Sequence, residues 1–187
     1  MSKQIPAYRN PDLSVEERVA DLLGRMTLEE KVGQLIMWNG QDDLSFINAH
    51  FPGSILHIWG EKLANAMNLV AQNRLGIPLL VGEDAIHGHS FWKGATIFPT
   101  QLAMAASWNP DLLEQVGRVT AEEAAPTGIH WTFSPVLCLT RDLRWGRTNE
   151  TFGEDPYLIG ELAAAMIRGY QGQGLDDPTG ILATAKH

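Results

Sequence analysis

Near the N-terminus apolar positions recur at helical spacing, and each run is preceded by an oxygen-bearing cap. Ser14 with Glu17, and Thr27 with Glu30, each fit a capping box, in which hydroxyl and carboxylate satisfy orphan amides reciprocally. The spacing predicts a first helix over about Val15–Arg25 and a second over about Leu28–Met37. Short apolar runs then alternate with amphipathic segments. Ser54–Ile58 reads as a strand, and Glu61–Leu75 as a helix with Leu63, Met67, Val70 and Ala71 on one face. Gly76 is expected at the C′ position of that helix, with Pro78 following. Leu79–Val81 is a second, fully apolar strand. Asn109-Pro110 is an N-cap followed by proline at the first helical position, opening a helix with Leu112, Val116 and Val119 on one stripe. His130–Ser134 reads as a third strand. Asp155-Pro156 repeats the capping device before a helix carrying Leu158, Leu162, Ala165 and Met166, and Ile181–Ala185 is the fourth strand.

Alternation of buried strands with helices predicts an α/β fold of parallel βαβ units, either an open doubly wound sheet or part of a (β/α)8 barrel. The loops favour the barrel. Gly82–Trp108 and Pro135–Glu154 are long polar segments after strand ends, where a TIM-type barrel carries its functional loops. A nucleotide-binding sheet would place a glycine-rich turn after its first strand; here that turn is Trp59-Gly60-Glu61. The expected organisation is a helical extension over residues 1–52, then the first half of a (β/α)8 barrel over 53–187, about four βα units. A half-barrel leaves parallel strand edges open. Those edges are expected to meet the missing C-terminal half of a parent chain, or to drive self-association.

Composition narrows the partners. The 14 Lys and Arg against 22 Asp and Glu give a net charge of −8, which disfavours nucleic acid, since phosphate binding needs a basic face. Hydrophobic residues at 44% and charged residues at 19% are globular proportions. Cys138 is the one cysteine, so no internal disulfide can form. Met1–Asn10 is polar and lacks the apolar run of a signal peptide, and no stretch approaches the ~20 apolar residues that span a bilayer. A cytoplasmic chain without membrane contact is expected; a trimmed portion of a secreted or periplasmic protein is the alternative.

Candidate chemistry gathers just past the strand ends. Gly82–His89 follows the second strand, Arg141–Arg147 with Asn149-Glu150 and Gly153–Pro156 follow the third, and Lys186-His187 follow the fourth. In a barrel these lie side by side around one mouth. Carboxylate, guanidinium, ammonium and imidazole converging there suit a neutral ligand dense in hydroxyls. The residues alone leave other readings open. Asp84 also fits a helix cap or a partner for Arg147, Arg147 also fits a loop pair with Glu150 or Glu154, and Arg144 with Glu154 fits a buried structural ion pair. His87-Gly88-His89 has metal-ligand spacing but no third ligand, so a structural role is expected. Trp92 and Trp145 suit either sugar stacking or loop core. His50, His57 and His130 have no chemical context.

The runs Glu83-Asp84-Ala85-Ile86-His87-Gly88 and Ala95-Thr96-Ile97-Phe98-Pro99, the block Arg144-Trp145-Gly146-Arg147 with Gly153-Glu154-Asp155-Pro156, and the terminal Lys186-His187 together resemble glycoside hydrolase family 3, in that family's order from about Leu13 onward. Two departures, Leu143 where the family often has proline and Cys138 before the arginine loop, touch no matched binding residue. The resemblance is to the β-glucosidase branch. It implies that Asp84 holds hydroxyls of the terminal glucose, that Arg147 reaches the same sugar, and that Lys186 and His187 donate to neighbouring hydroxyls. The implied substrate is a β-glucoside or cello-oligosaccharide, hydrolysed with retention and without cofactor or metal. Retention needs a nucleophilic carboxylate and an acid/base carboxyl about 5–5.5 Å apart. The resemblance places both beyond His187, so no catalytic residue is expected in this chain, Glu83 and Glu150 included. It therefore predicts the glucose-binding half of a β-glucosidase that is inactive alone. β-Xylosidase or β-N-acetylglucosaminidase specificity is the alternative within the family, and a non-catalytic sugar-binding or assembly half-barrel the alternative outside it.

Overall fold

The computed structural model describes residues 5–174 and 176–187. Both capping boxes form, and α1 spans Val15–Arg25. Helix α2, Leu28–Gly33, stops short of the expected end. Its last predicted residue instead opens a strand, β1 (Met37–Asn39), which the hydrophobic pattern did not show. A short helix α3 follows at Ser45–His50. Strand β2 (Ser54–Leu56) leads to α4 (Gly60–Gln72), β3 (Leu80–Glu83), α5 (Gln101–Ala105), α6 (Pro110–Ala124), β4 (Trp131–Thr132) and α7 (Pro156–Gln171). Helix α4 ends before Gly76, so that glycine is not its C′ residue; it lies in the connection to β3 with φ +59°.

The four strands form one parallel sheet in the order β1-β2-β3-β4. Sequential parallel order with helical crossovers is how a (β/α)8 barrel begins. Because β1 pairs with β2, the segment read as a helical extension contributes the sheet's first strand. The Ile181–Ala185 segment is not a regular strand. It runs parallel beside β4 through bridges Trp131↔Leu182 and Val136↔Lys186. The Leu182 amide donates to the His130 carbonyl at 2.9 Å and the Thr184 amide to Ser134 at 2.9 Å, so it holds a fifth sheet position. Farther along, the Lys186 amide donates to the Pro135 carbonyl at 3.2 Å and the Leu137 amide to the Lys186 carbonyl at 2.6 Å.

The core lies between the sheet and its helices. Ile55 and Val81 from the strands meet Leu63, Ala66, Leu113, Leu162 and Met166 from the helices. Helices α6 and α7 pack closest, because Gly117 and Gly169 leave room: a Cβ on either would strike the other helix's backbone, at Met166 and Glu114. Tyr170, wholly buried near the end of α7, shares a hydrogen bond with Ser134 at 2.9 Å and donates to the Ala85 carbonyl at 3.3 Å. Helix α7 is thereby tied to the segments just beyond β3 and β4.

Candidate sugar-binding site

Asp84 is the first residue past β3, and the fully buried Glu83 and Ala85 on either side of it fix its backbone. Lys186 arrives from the fifth sheet position, and its Nζ lies 3.0 Å from Asp84 Oδ1. Of this pair Asp84 is the more open, with 39% of its side chain exposed against 14% for Lys186. A carboxylate with that much open surface keeps acceptor capacity for hydroxyl groups.

The loop after β4 brings the third component. Its base closes where the Thr140 amide donates to the Gly153 carbonyl at 2.9 Å and the two hydroxyls of Thr140 and Thr151 meet inside, beneath the buried Phe152. At the rim Arg147 Nε donates to Glu150 Oε1 at 3.0 Å. The hydrogen bond to Arg147 holds the Glu150 carboxyl below its usual range, and the nearby charges of Lys186 and His187 push the same way. Arg147 in turn feels the field of Asp84. His187 Nδ1 lies 3.4 Å from Cys138 Sγ, so Cys138, expected to touch no matched binding residue, does touch one. Burial, then the charges of Arg147 and Lys186, keep the His187 imidazole below its usual value, with Glu150 and Asp84 opposing. Asp84 and Lys186 thus touch at the strand ends, while Arg147 pairs with Glu150 and His187 lies against Cys138, both within electrostatic reach of Asp84.

Three further expectations are corrected. Arg144 and Glu154 do not form a buried ion pair: Arg144 is 91% exposed and pairs with Asp142, while Glu154 is on the surface. Trp92 and Trp145 are partly open, at 40% and 36% exposure, so neither is loop core. His57, given no context from sequence, is paired: its Nδ1 lies 2.7 Å from Glu83 Oε1. A φ of +54° at His57 helps bring the ring there. No local pattern signals such a contact, since 26 residues separate the partners.

His87 and His89 serve different neighbours. His87 Nδ1 meets the Phe98 carbonyl at 2.9 Å, and buried His89 meets Thr127 Oγ1 through Nε2 at 3.0 Å. His57, Glu83 and Asp84 each offer an atom within 4.8 Å of the others, a spacing a cation could use. In the structure hydrogen bonds occupy these groups: Glu83 Oε1 also accepts from the Asp84 amide at 2.9 Å, and Asp84 is engaged by Lys186.

A sequential parallel sheet with polar loops at its strand ends is the opening portion of a (β/α)8-type barrel. Residues 27–187 match the glycosyl hydrolase family 3 N-terminal domain, and the chain belongs to that family. It is 36% identical to a periplasmic β-glucosidase of Salmonella typhimurium, over 96% of this chain and 24% of the relative. It is 31% identical to a β-xylosidase of Formosa agariphila, over 95% and 21%. Among solved structures, a β-glucosidase involved in saponin metabolism from intestinal bacteria is 58% identical, with a TM-score of 0.82 over 91% of this chain and 23% of that one. The Listeria innocua β-glucosidase in complex with glucose is 34% identical, with a TM-score of 0.80 over 92% and 26%. The chain thus spans about a quarter of the length of the relatives it matches.

Proposed function

We propose that this chain is the glucose-binding portion of a retaining, exo-acting β-glucosidase that releases terminal non-reducing β-D-glucose. The observation that carries the reading is the Lys186–Asp84 contact at 3.0 Å, which joins two strand ends at the place where Arg147 and His187 also gather. Asp84 accepts from adjacent hydroxyls of the sugar, and Lys186, His187 and Arg147 donate to its hydroxyl oxygens. Such contacts hold the ring while a nucleophilic carboxylate attacks the anomeric carbon and a second carboxyl protonates the leaving oxygen. Asp84 is engaged by Lys186 and assigned to the sugar hydroxyls, and neither of the two other described carboxylates beside it suits those tasks. Glu83 is sealed from solvent, and Glu150 is held by Arg147. Both catalytic groups are supplied from outside this chain.

The glucoside substrate is favoured by the β-glucosidases among the relatives, including one solved with glucose bound. The β-xylosidase relative supports a second reading, in which the same contacts hold a pentose that lacks the hydroxymethyl group. Hydrolysis of 4-nitrophenyl β-D-glucopyranoside by the folded chain, with its mass verified, tests the division of labour. No turnover is expected. Turnover that follows the intact chain would assign the chemistry to Glu83 or Glu150 and overturn the proposal.

A further inference from the structure

Glu83 is a carboxylate at a core position. Two residues earlier on the same strand, Val81 is fully buried in the hydrophobic core, and strand alternation sets Glu83 on that same face. A carboxylate there costs desolvation that an apolar residue would not, and burial does raise the Glu83 carboxyl above its usual range. The side chain spends its hydrogen bonds in one place. Oε1 accepts both from His57 Nδ1 at 2.7 Å and from the backbone amide of Asp84 at 2.9 Å, while buried Oε2 has no partner among the described residues. His57 reaches it from beyond β2 only by adopting φ +54°, a conformation that few non-glycine residues tolerate, histidine and asparagine among them. A strained imidazole and the backbone amide of Asp84 thus converge on one buried acceptor, Glu83 Oε1. On the other side of Asp84, the Ala85 carbonyl accepts from Thr132 Oγ1 at 3.4 Å and from Tyr170 at 3.3 Å.

We propose that His57 and Glu83 are positioning residues that hold the Asp84 backbone so that its carboxylate faces Lys186 and the sugar. This rests on the reading of Asp84 as a sugar contact. His57 fixes the Glu83 carboxylate, Glu83 Oε1 takes the Asp84 amide, and the Asp84 side chain is left pointing into the mouth. Neither residue touches the sugar.

The test is a D-glucose titration of the isotope-labelled 187-residue chain followed by NMR, with thermal melts of every variant. His57→Ala should move the Asp84 amide proton upfield and weaken glucose binding about tenfold. His57→Asn, which tolerates positive φ and offers a side-chain donor, should restore the Asp84 amide position and bring affinity to within about threefold of the unmodified chain. A structural role for His57 alone would move stability without this selective rescue. Should His57→Ala fail to fold, Glu83→Gln decides the matter: it keeps the shape but offers a weaker acceptor, so the Asp84 amide should move upfield. An unmoved Asp84 amide, or unchanged affinity in His57→Ala while Asp84→Ala abolishes binding, overturns the positioning role and leaves the sugar site intact. No glucose binding by the unmodified chain, or full binding by Asp84→Ala, overturns the sugar reading and this inference with it.

Discussion

Asp84 and Lys186 are 102 residues apart in the sequence and 3.0 Å apart in the structure, and they share one ion pair unequally. Lys186 is the more enclosed partner and Asp84 the more open one. Removing Asp84 leaves an ammonium short of compensation, whereas removing Lys186 leaves a carboxylate that water can reach. Asp84→Ala should therefore destabilise the chain by about 1–2 kcal/mol, and Lys186→Met by less than about 1 kcal/mol. Urea unfolding of the two variants checks the order. Equal losses would mean that the pair is no more enclosed on one side than the other.

Arg147 and Arg144 lie in the same short block but make different contacts. Arg147 is in the electrostatic reach of Asp84 and is braced by Glu150; Arg144 is open to solvent and bonded to Asp142. Arg147→Ala is expected to weaken D-glucose binding about tenfold, and Arg144→Ala by less than about twofold. Calorimetric or NMR titration separates them. A comparable loss from Arg144→Ala would move the sugar site outward along the loop.

His89 gives the fold a pH dependence near neutrality. Burial pushes its imidazole below the usual value of 6.5, with only Glu123 opposing, so the folded chain binds the proton less readily than the unfolded one. A depressed folded value means that the stability tied to neutral His89 is present above about pH 6.5 and is lost as the pH falls through the folded value. The urea midpoint should decline from pH 7.5 to 5.5, and less steeply in His89→Gln. Parallel slopes for the two proteins would show that His89 is not the titrating group.

Local chemistry made α1, α2, α6 and α7 legible, whereas the short helices α3 and α5 were not anticipated and the sheet's outer positions depended on distant partners. Ser14, Thr27, Asn109 and Asp155 cap their helices through side-chain oxygens, and these signals need only neighbouring residues. Strand β1 was missed because the run Leu35-Ile36-Met37-Trp38 follows directly on α2 and reads as the end of that helix; its pairing with Ser54–Leu56 makes Met37–Asn39 a strand. The Ile181–Ala185 segment read as a strand from its apolar residues, and in the structure it meets β4 and the residues after it only through the bridges Trp131↔Leu182 and Val136↔Lys186. Family motifs singled out Asp84, Arg147, Lys186 and His187; of these, Asp84 and Lys186 are in direct contact, while Arg147 pairs with Glu150 and His187 lies against Cys138. The support beneath Asp84 was invisible, because His57 reaches Glu83 through a backbone conformation that its side-chain type does not reveal.

Residue-resolved titration of the isotope-labelled chain with D-glucose tests the central claim most directly. Saturable shifts confined to Asp84, Arg147, Lys186, His187 and their immediate neighbours, absent in Asp84→Ala, are the predicted result. Saturable shifts elsewhere with these four residues unmoved, or no saturable shift at all, would contradict the account.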